Sequence, residues 1–263
     1  MKSNNRSRVE PDLSERTVLV TGASRGIGAA VASSMGRAGA RVIAHYSSDR
    51  VGAENAISSI AKSRAAVIQE DLSVHGAGHN LWDRATGIFD SIDCIVLNAA
   101  VNIETPFDST REEWGRGWEE TLAVNVRESA NLIHSSMPSF LSQGFGIYIS
   151  MSSWSAQKGS AVSSLPAYAA SKAAMKAMMQ TVAVNYGREG ILSFILAPGI
   201  VNTRMADLGR VMRGGDQALN DSMVLGRITE PEEVGELAAV LASGAFPNLT
   251  GGTIDMNGAS YIR

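Results

Sequence analysis

Thr21-Gly22-Ala23-Ser24-Arg25-Gly26-Ile27-Gly28 follows a short β-rich run, Thr17–Thr21, and leads straight into an alanine-rich helical stretch, Ile27–Arg37. Glycine has a separate use at each of its three places. Gly22 permits a tight turn, Gly26 lets the backbone approach a pyrophosphate closely, and Gly28 lets the helix pack closely on the sheet. The free amides at the helix start then face an anion, and Ser24, Arg25 and Ile27 belong to the same turn. A glycine cluster alone is a weak signal, because any turn uses glycine. One that lies after a strand, before a helix and within the first βαβ unit points to dinucleotide binding. No Gly-Lys-Ser/Thr ending follows, which argues against a nucleoside-triphosphate loop.

Outward from that turn the same alternation recurs. Candidate strands are Thr17–Thr21, Arg41–His45, Ala66–Gln69, Cys94–Asn98, Gly146–Ser150, Leu192–Ala197 and Thr253–Met256. Helical candidates between them are Ile27–Arg37, Gly52–Ser63, Ala77–Ala85, Arg111–Met137, Ala167–Arg188 and Glu232–Ser243. This predicts an α/β fold of Rossmann type, a doubly wound parallel seven-stranded sheet with helices on both faces, joined by right-handed crossovers. The apolar run Cys94–Leu97 has the character of a strand covered on both faces. A chain of 263 residues fits a single such domain. Residues 1–13 read as a flexible polar extension and 14–263 as the domain. Thr203–Gly226 interrupts the alternation with Gly209, Gly214, Gly215, Arg204, Arg210 and Arg213. Lying past a strand's carboxyl end, it is a candidate substrate lid, with a solvated loop and short helix as the other reading.

The second strand runs into Ala44-His45-Tyr46-Ser47-Ser48, and no carboxylate stands where NAD sites hold the adenosine ribose. Arg25 can approach a 2′-phosphate, and Ser47 or Ser48 beside Tyr46 can donate hydrogen bonds to it. NADP(H) is therefore favoured, and Asp49, close by, keeps NAD(H) open. Tyr168 and Lys172 lie four positions apart in Ala167-Tyr-Ala-Ala-Ser-Lys-Ala-Ala-Met, a strong helix former, so both project from one face. Delivering a hydride to a ketone needs a proton donor at the developing alkoxide. A free tyrosine, with a pKa of about 10, is a reluctant one unless a cation such as Lys172 stands nearby.

The turn resembles that of the short-chain dehydrogenase/reductase family, whose spacing is Gly-x3-Gly-x-Gly, and the resemblance covers nearly the whole chain after the extension. Its further matches are Asp71-Leu72, Asn98-Ala99-Ala100, Asn125, the serines near 153, Tyr168-x3-Lys172 and Pro198-Gly199-Ile200-Val201-Asn202-Thr203. It implies that Asp71 and Leu72 hold the adenine and that Asn98, Ala99 and Ala100 line the cofactor, Ala100 replacing the family's usual glycine. Lys172 would also bind the nicotinamide ribose. Pro198 and Gly199 would end the sixth strand, and Val201 with Thr203 would position the carboxamide. Asn125 would join a proton relay with a water and Lys172. Matching Gly146-Ile-Tyr-Ile-Ser-Met-Ser-Ser to the family's fifth strand puts the substrate-orienting role on Ser153, with Ser152 second. Ser155 restores the family's spacing to the tyrosine, which from Ser153 is about two residues longer. The activity implied interconverts a ketone and a secondary alcohol, with Tyr168 as general acid/base. A 3-oxoacyl thioester is the first substrate to consider, in a homotetramer or homodimer. A noncatalytic dinucleotide sensor on the same fold is the rival; the set Tyr168, Lys172, Ser153 and Asn125 argues against it.

Composition narrows the partners. With 44% apolar and 19% charged residues and a net charge of -3, the chain has no basic field for nucleic acid. No apolar run reaches the roughly 20 residues that span a bilayer. The lone Cys94 cannot form an internal disulfide, which suits a cytoplasmic protein. His45, His75, His79 and His134 lack metal-ligand spacing, so no metal site is expected and the histidines read as solvated or locally bonded. Met175, Met178 and Met179 read as core or subunit contact, and Trp114 and Trp118 as anchors of their helix.

Overall fold

Seven strands run parallel in one sheet in the order β3-β2-β1-β4-β5-β6-β7 in the computed structural model, which describes residues 11–207 and 215–262. They are β1 Thr17–Val20, β2 Arg41–Tyr46, β3 Ala65–Gln69, β4 Cys94–Leu97, β5 Gly146–Met151, β6 Ile191–Pro198 and β7 Thr253–Met256. The expected extension through residue 10, together with Gly209, Arg210, Arg213 and Gly214 of the expected lid, lies outside the described residues.

Side chains alternate across the sheet, as strand geometry requires, and both faces are covered. Val18, Val20, Val42, Val96 and Ile149 face helices α1 (Gly26–Arg37) and α9 (Pro231–Ala242). Leu19, Ile43, Ile95, Tyr148 and Ile195 face the other way, onto Leu81, Leu132, Phe140, Met175 and Met179 of α3 (Ala77–Ala85), α5 (Glu128–Gln143) and α7 (Pro166–Tyr186). Met175 and Met179 are thus core, and Cys94 is a buried free thiol.

Three helices depart from expectation. The second, α2, is Arg50–Ala56 rather than Gly52–Ser63, because the Asp49 carboxylate caps it by accepting the Gly52 N–H at 2.8 Å. The long helix Arg111–Met137 is instead α4 (Arg111–Leu122), a π-helical turn over Ala123–Arg127, and α5, which continues past Pro138 to Gln143. Pro138 forfeits a backbone bond, but burial of Leu132, Ile133, Ser136 and Phe140 holds the helix together. A Thr110–Glu113 capping box starts α4, and Phe107, Trp114 and Trp118 stack along its first turns at 5.3 and 5.7 Å between ring centres. The third departure is a single added turn, α6 (Ser155–Lys158), between β5 and α7. In the candidate lid, residues 203–226, the described part holds a 3-10 turn at Arg204–Ala206 and a short helix, α8, at Asp216–Asp221.

Candidate active site

The glycine turn sits where β1 and β4 part, at the carboxyl edge of the sheet where helical crossovers leave a crevice. Gly22 has φ +66°, and a Cβ there would lie 2.9 Å from Ala99 Cα. A Cβ on Gly28 would lie 2.1 Å from the Gly22 carbonyl oxygen, so α1 reaches the turn only because Gly28 lacks one. Gly26, at φ +56°, faces Thr203 Cγ2. The Thr21 hydroxyl accepts the amides of Asn98 (2.9 Å) and Ala99 (3.0 Å), while the Asn98 side-chain amide donates to the carbonyls of Thr21 (2.9 Å) and Gly22 (3.1 Å). Asn98 therefore braces the end of β4 against the turn.

His45, which sequence reasoning set aside, is buried beneath this turn. Its Nδ1 accepts the Gly22 N–H at 3.1 Å and its Nε2–H donates to the Glu70 carbonyl at 3.0 Å, an arrangement that fixes the tautomer. Burial lowers its pKa to about 4, so the ring is neutral. Its one visible signal was position: a polar residue at the carboxyl end of an otherwise apolar strand.

Around the expected ribose site, Arg25, Ser47, Ser48, Asp49 and Asp71 are exposed, Tyr46 is half-buried and Leu72 is buried. Asp49 is occupied: its carboxylate caps α2, and its carbonyl accepts the Ser24 hydroxyl at 2.7 Å.

At the other end of the cleft, β5 delivers Ser152 and Ser153 against the start of α7. The Ser153 hydroxyl stands near enough to the Tyr168 phenol to pull its pKa down, and it accepts the Ser155 N–H at 3.1 Å. Ser152 instead donates to the Lys172 carbonyl at 3.2 Å, and Ser155 opens α6. Lys172 is buried one helical turn from Tyr168, its Nζ 5.7 Å from the phenol ring centre and donating to the Met151 carbonyl at 2.7 Å.

Burial pushes the Tyr168 phenol up to about 12, with the neighbouring Ser153 hydroxyl pulling the other way, and lowers Lys172 to about 8. Tyr168 holds its proton at neutral pH.

Asn125 sits in the π turn, a feature that recurs at functional sites. Its Oδ1 accepts the Val101 N–H at 2.8 Å, and its Nδ2 donates to the Val101 carbonyl and the Ser171 hydroxyl, both at 3.0 Å. Both amide hydrogens of the side chain are thus used, and its oxygen holds the Val101 amide. Pro198, Gly199, Val201 and Thr203 line the cleft with Ser153 and Tyr168, and Met205 and Ala206 from the candidate lid join them. Among the described residues no cluster of three or more histidine, cysteine or acidic side chains is placed to hold a metal, and no helix is long and apolar enough to cross a membrane.

Parallel sheet, glycine cradle and serine–tyrosine–lysine cluster together define an α/β oxidoreductase. The chain belongs to the short-chain dehydrogenase/reductase family: the family pattern described as enoyl-(acyl carrier protein) reductase matches residues 22–258. It is 32% identical over 261 residues to 3beta-hydroxysteroid dehydrogenase 1 of Eggerthella lenta, covering 95% of each protein. It is 31% identical to acetoacetyl-CoA reductase of Rhizobium meliloti, covering 94% of this chain and 99% of that one. Among solved structures, a 3-oxoacyl (acyl-carrier-protein) reductase of Agrobacterium tumefaciens C58 with NADP bound superposes with a TM-score of 0.84 at 32% identity, covering 98% of both chains. Membership makes the protein an oxidoreductase acting on CH–OH and C=O groups.

Proposed function

We propose that this protein reduces a ketone to a secondary alcohol with NADP(H), using Tyr168 as the acid. The observation that carries this is the Tyr168 phenol, which burial keeps protonated and which lines the cleft beside Ser153. The cradle formed by Gly22, Gly26 and Gly28, closed to any Cβ, fits a pyrophosphate. Exposed Arg25, Ser47 and Ser48, with the Asp49 carboxylate turned to a helix cap, fit a 2′-phosphate better than a bare ribose diol. NADP is also what the Agrobacterium relative holds. Asp71 and Leu72 would border the adenine, and Ala99, Ala100, Gly199, Val201 and Thr203 the nicotinamide half.

The cofactor supplies the hydride. Ser153 orients the ketone oxygen by donating to it, and Tyr168 gives its proton to that oxygen as charge develops. Lys172, held on the Met151 carbonyl, sets the field at the phenol and reaches the nicotinamide ribose. Asn125 fixes the loop after β4 against α7. Residues 203–226 act as the lid over the substrate. Relatives named for acetoacetyl-CoA and 3-oxoacyl substrates put a 3-oxoacyl thioester first on a test panel. Exposed Leu122, Leu141 and Val184 on the long helices favour assembly into a homotetramer or homodimer, measurable by light scattering. The buried, unpaired Cys94 fits a reducing cytoplasm.

The test is NADPH and NADH oxidation against a ketone panel with Tyr168→Phe as control. Rate loss of roughly 100- to 10,000-fold with NADPH affinity kept supports the acid role. Equal turnover by wild type and Tyr168→Phe would refute it, and NADPH binding without any turnover would favour a sensor.

A further inference from the structure

The glycine cradle and the adenine loop stand at the ends of different strands, beyond the reach of the sheet's own ladders. The β1–β2 ladder closes at the pair Val20–Ala44, and the β2–β3 ladder at Tyr46–Gln69. Past Ala44, His45 carries the connection to the glycine turn. Its carbonyl accepts the Ala23 N–H at 2.8 Å, and its ring Nδ1 accepts the Gly22 N–H at 3.1 Å. The opposite ring nitrogen, Nε2, donates to the Glu70 carbonyl at 3.0 Å, one residue before Asp71. One planar side chain thus spans from the turn that fits a pyrophosphate to the loop that would border the adenine.

The far support is itself fixed. The Glu70 N–H donates to the Tyr46 carbonyl at 3.0 Å, and Arg84 of α3 donates to the Gln69 carbonyl at 2.7 Å and to the Glu70 carboxylate at 2.8 Å. The ring is only 1% exposed, so it acts on the site through these two backbone groups. Burying an imidazole costs free energy that an apolar side chain at the end of β2 would not. Here the cost is offset because each ring nitrogen meets a backbone partner.

We infer that His45 is a positioning residue for the cofactor: its ring sets the separation between the glycine cradle and the adenine loop, so that a dinucleotide spanning both meets a site already matched to its length. A ligand that touches two supports gains affinity because its second contact forms within the same complex. It keeps that gain only while the supports hold the right separation. This rests on the dinucleotide reading of the site and is independent of which ketone is reduced.

The test compares ligands that span the two supports with ligands that reach one. NADPH and 2′-phospho-ADP-ribose span both, whereas pyrophosphate reaches the cradle and adenosine 2′-monophosphate the adenine loop. Full-length wild type, His45→Leu, His45→Asn and His45→Gln are titrated near neutral pH, under conditions where urea unfolding shows each protein folded. NADPH is followed by its fluorescence and the other ligands by displacing it. In His45→Leu the two spanning ligands should bind roughly 10- to 100-fold more weakly, while the single-support ligands change by less than about threefold. His45→Asn keeps an acceptor for Gly22, and His45→Gln keeps a donor that reaches towards Glu70. Each breaks the bridge at one end, so both should show the same selective loss, and they decide the matter if the leucine variant does not fold. NADH should weaken as far as NADPH, because the brace does not involve the 2′-phosphate. Spanning ligands held as tightly as by wild type would overturn the inference. So would an equal weakening of all four ligands, which would mark a general loosening of the site. A wild type that binds NADPH but reduces no ketone would sink the reductase reading and leave this inference standing, whereas a wild type that binds no NADPH would sink both.

Discussion

Lowering the pH from 7 to 5 should weaken this fold through His45. The ring holds the Gly22 amide on Nδ1 and the Glu70 carbonyl on Nε2, so it can do both jobs only when neutral. Its pKa in the folded protein is about 4, against 6.5 for an ordinary histidine, the direction set by burial. Because the folded value is depressed, the unfolded chain takes up the proton first. Stability is therefore lost as pH falls below about 6.5, and the loss is complete below about 4. Over the step from pH 7 to 5 the two values give a loss of about 2 kcal/mol. Lys172, lowered to about 8, and Glu233, lowered to about 2 chiefly by its bond to Arg227, titrate outside that step. Urea unfolding of the wild type and of His45→Asn at both pH values is the assay. The variant should begin about 1 to 3 kcal/mol weaker at pH 7, for imperfectly replaced hydrogen bonds, and should lose little more at pH 5. A wild type equally stable at both pH values, or a variant as steep as the wild type, would refute the role assigned to His45.

Other substitutions probe separate parts of the site. Gly28→Ala drives a methyl into the Gly22 carbonyl, so NADPH affinity should fall about 100-fold by titration of NADPH fluorescence, with about 1 to 3 kcal/mol of stability lost. Arg25→Ala should lower NADPH kcat/KM roughly 10- to 100-fold and leave NADH within about threefold; equal losses would remove Arg25 from the 2′-phosphate site. Asn125→Leu removes the clamp on Val101 and Ser171 and should cost about 2 to 4 kcal/mol in chemical unfolding.

Much of this was legible in the residues, for identifiable reasons. Gly22 and Gly28 could be read because only glycine meets a positive φ or a carbonyl oxygen closer than any methyl allows. Tyr168 and Lys172 could be read because a spacing of four on a helix puts two side chains on one face. The π turn could not, since hydrophobic periodicity averages over a segment and an extra residue in one turn barely alters it. The early end of α2 hid behind Ala56 and Ile57, which suit a helix as well as a turn, and the continuation through Pro138 depended on burial that no local rule reports. His45 showed only its place at the end of an apolar strand, because a polar side chain is judged by its partners, and Gly22 and Glu70 lie 23 and 25 positions away from it.

The π turn over Ala123–Arg127 also sets the phase between two halves of one long rod. Its amino half, α4, rests on α7, and its carboxyl half, α5, rests on α3, where the buried Glu128 carboxylate collects the amides of Gly76 and Gly78. The wide turn absorbs its extra residue within one turn, so the halves on either side keep their faces; a residue added or removed in the regular turns beside it has no such outlet and would swing everything beyond it by about 100°. The chain should accept many changes of residue along this rod and almost no change of length.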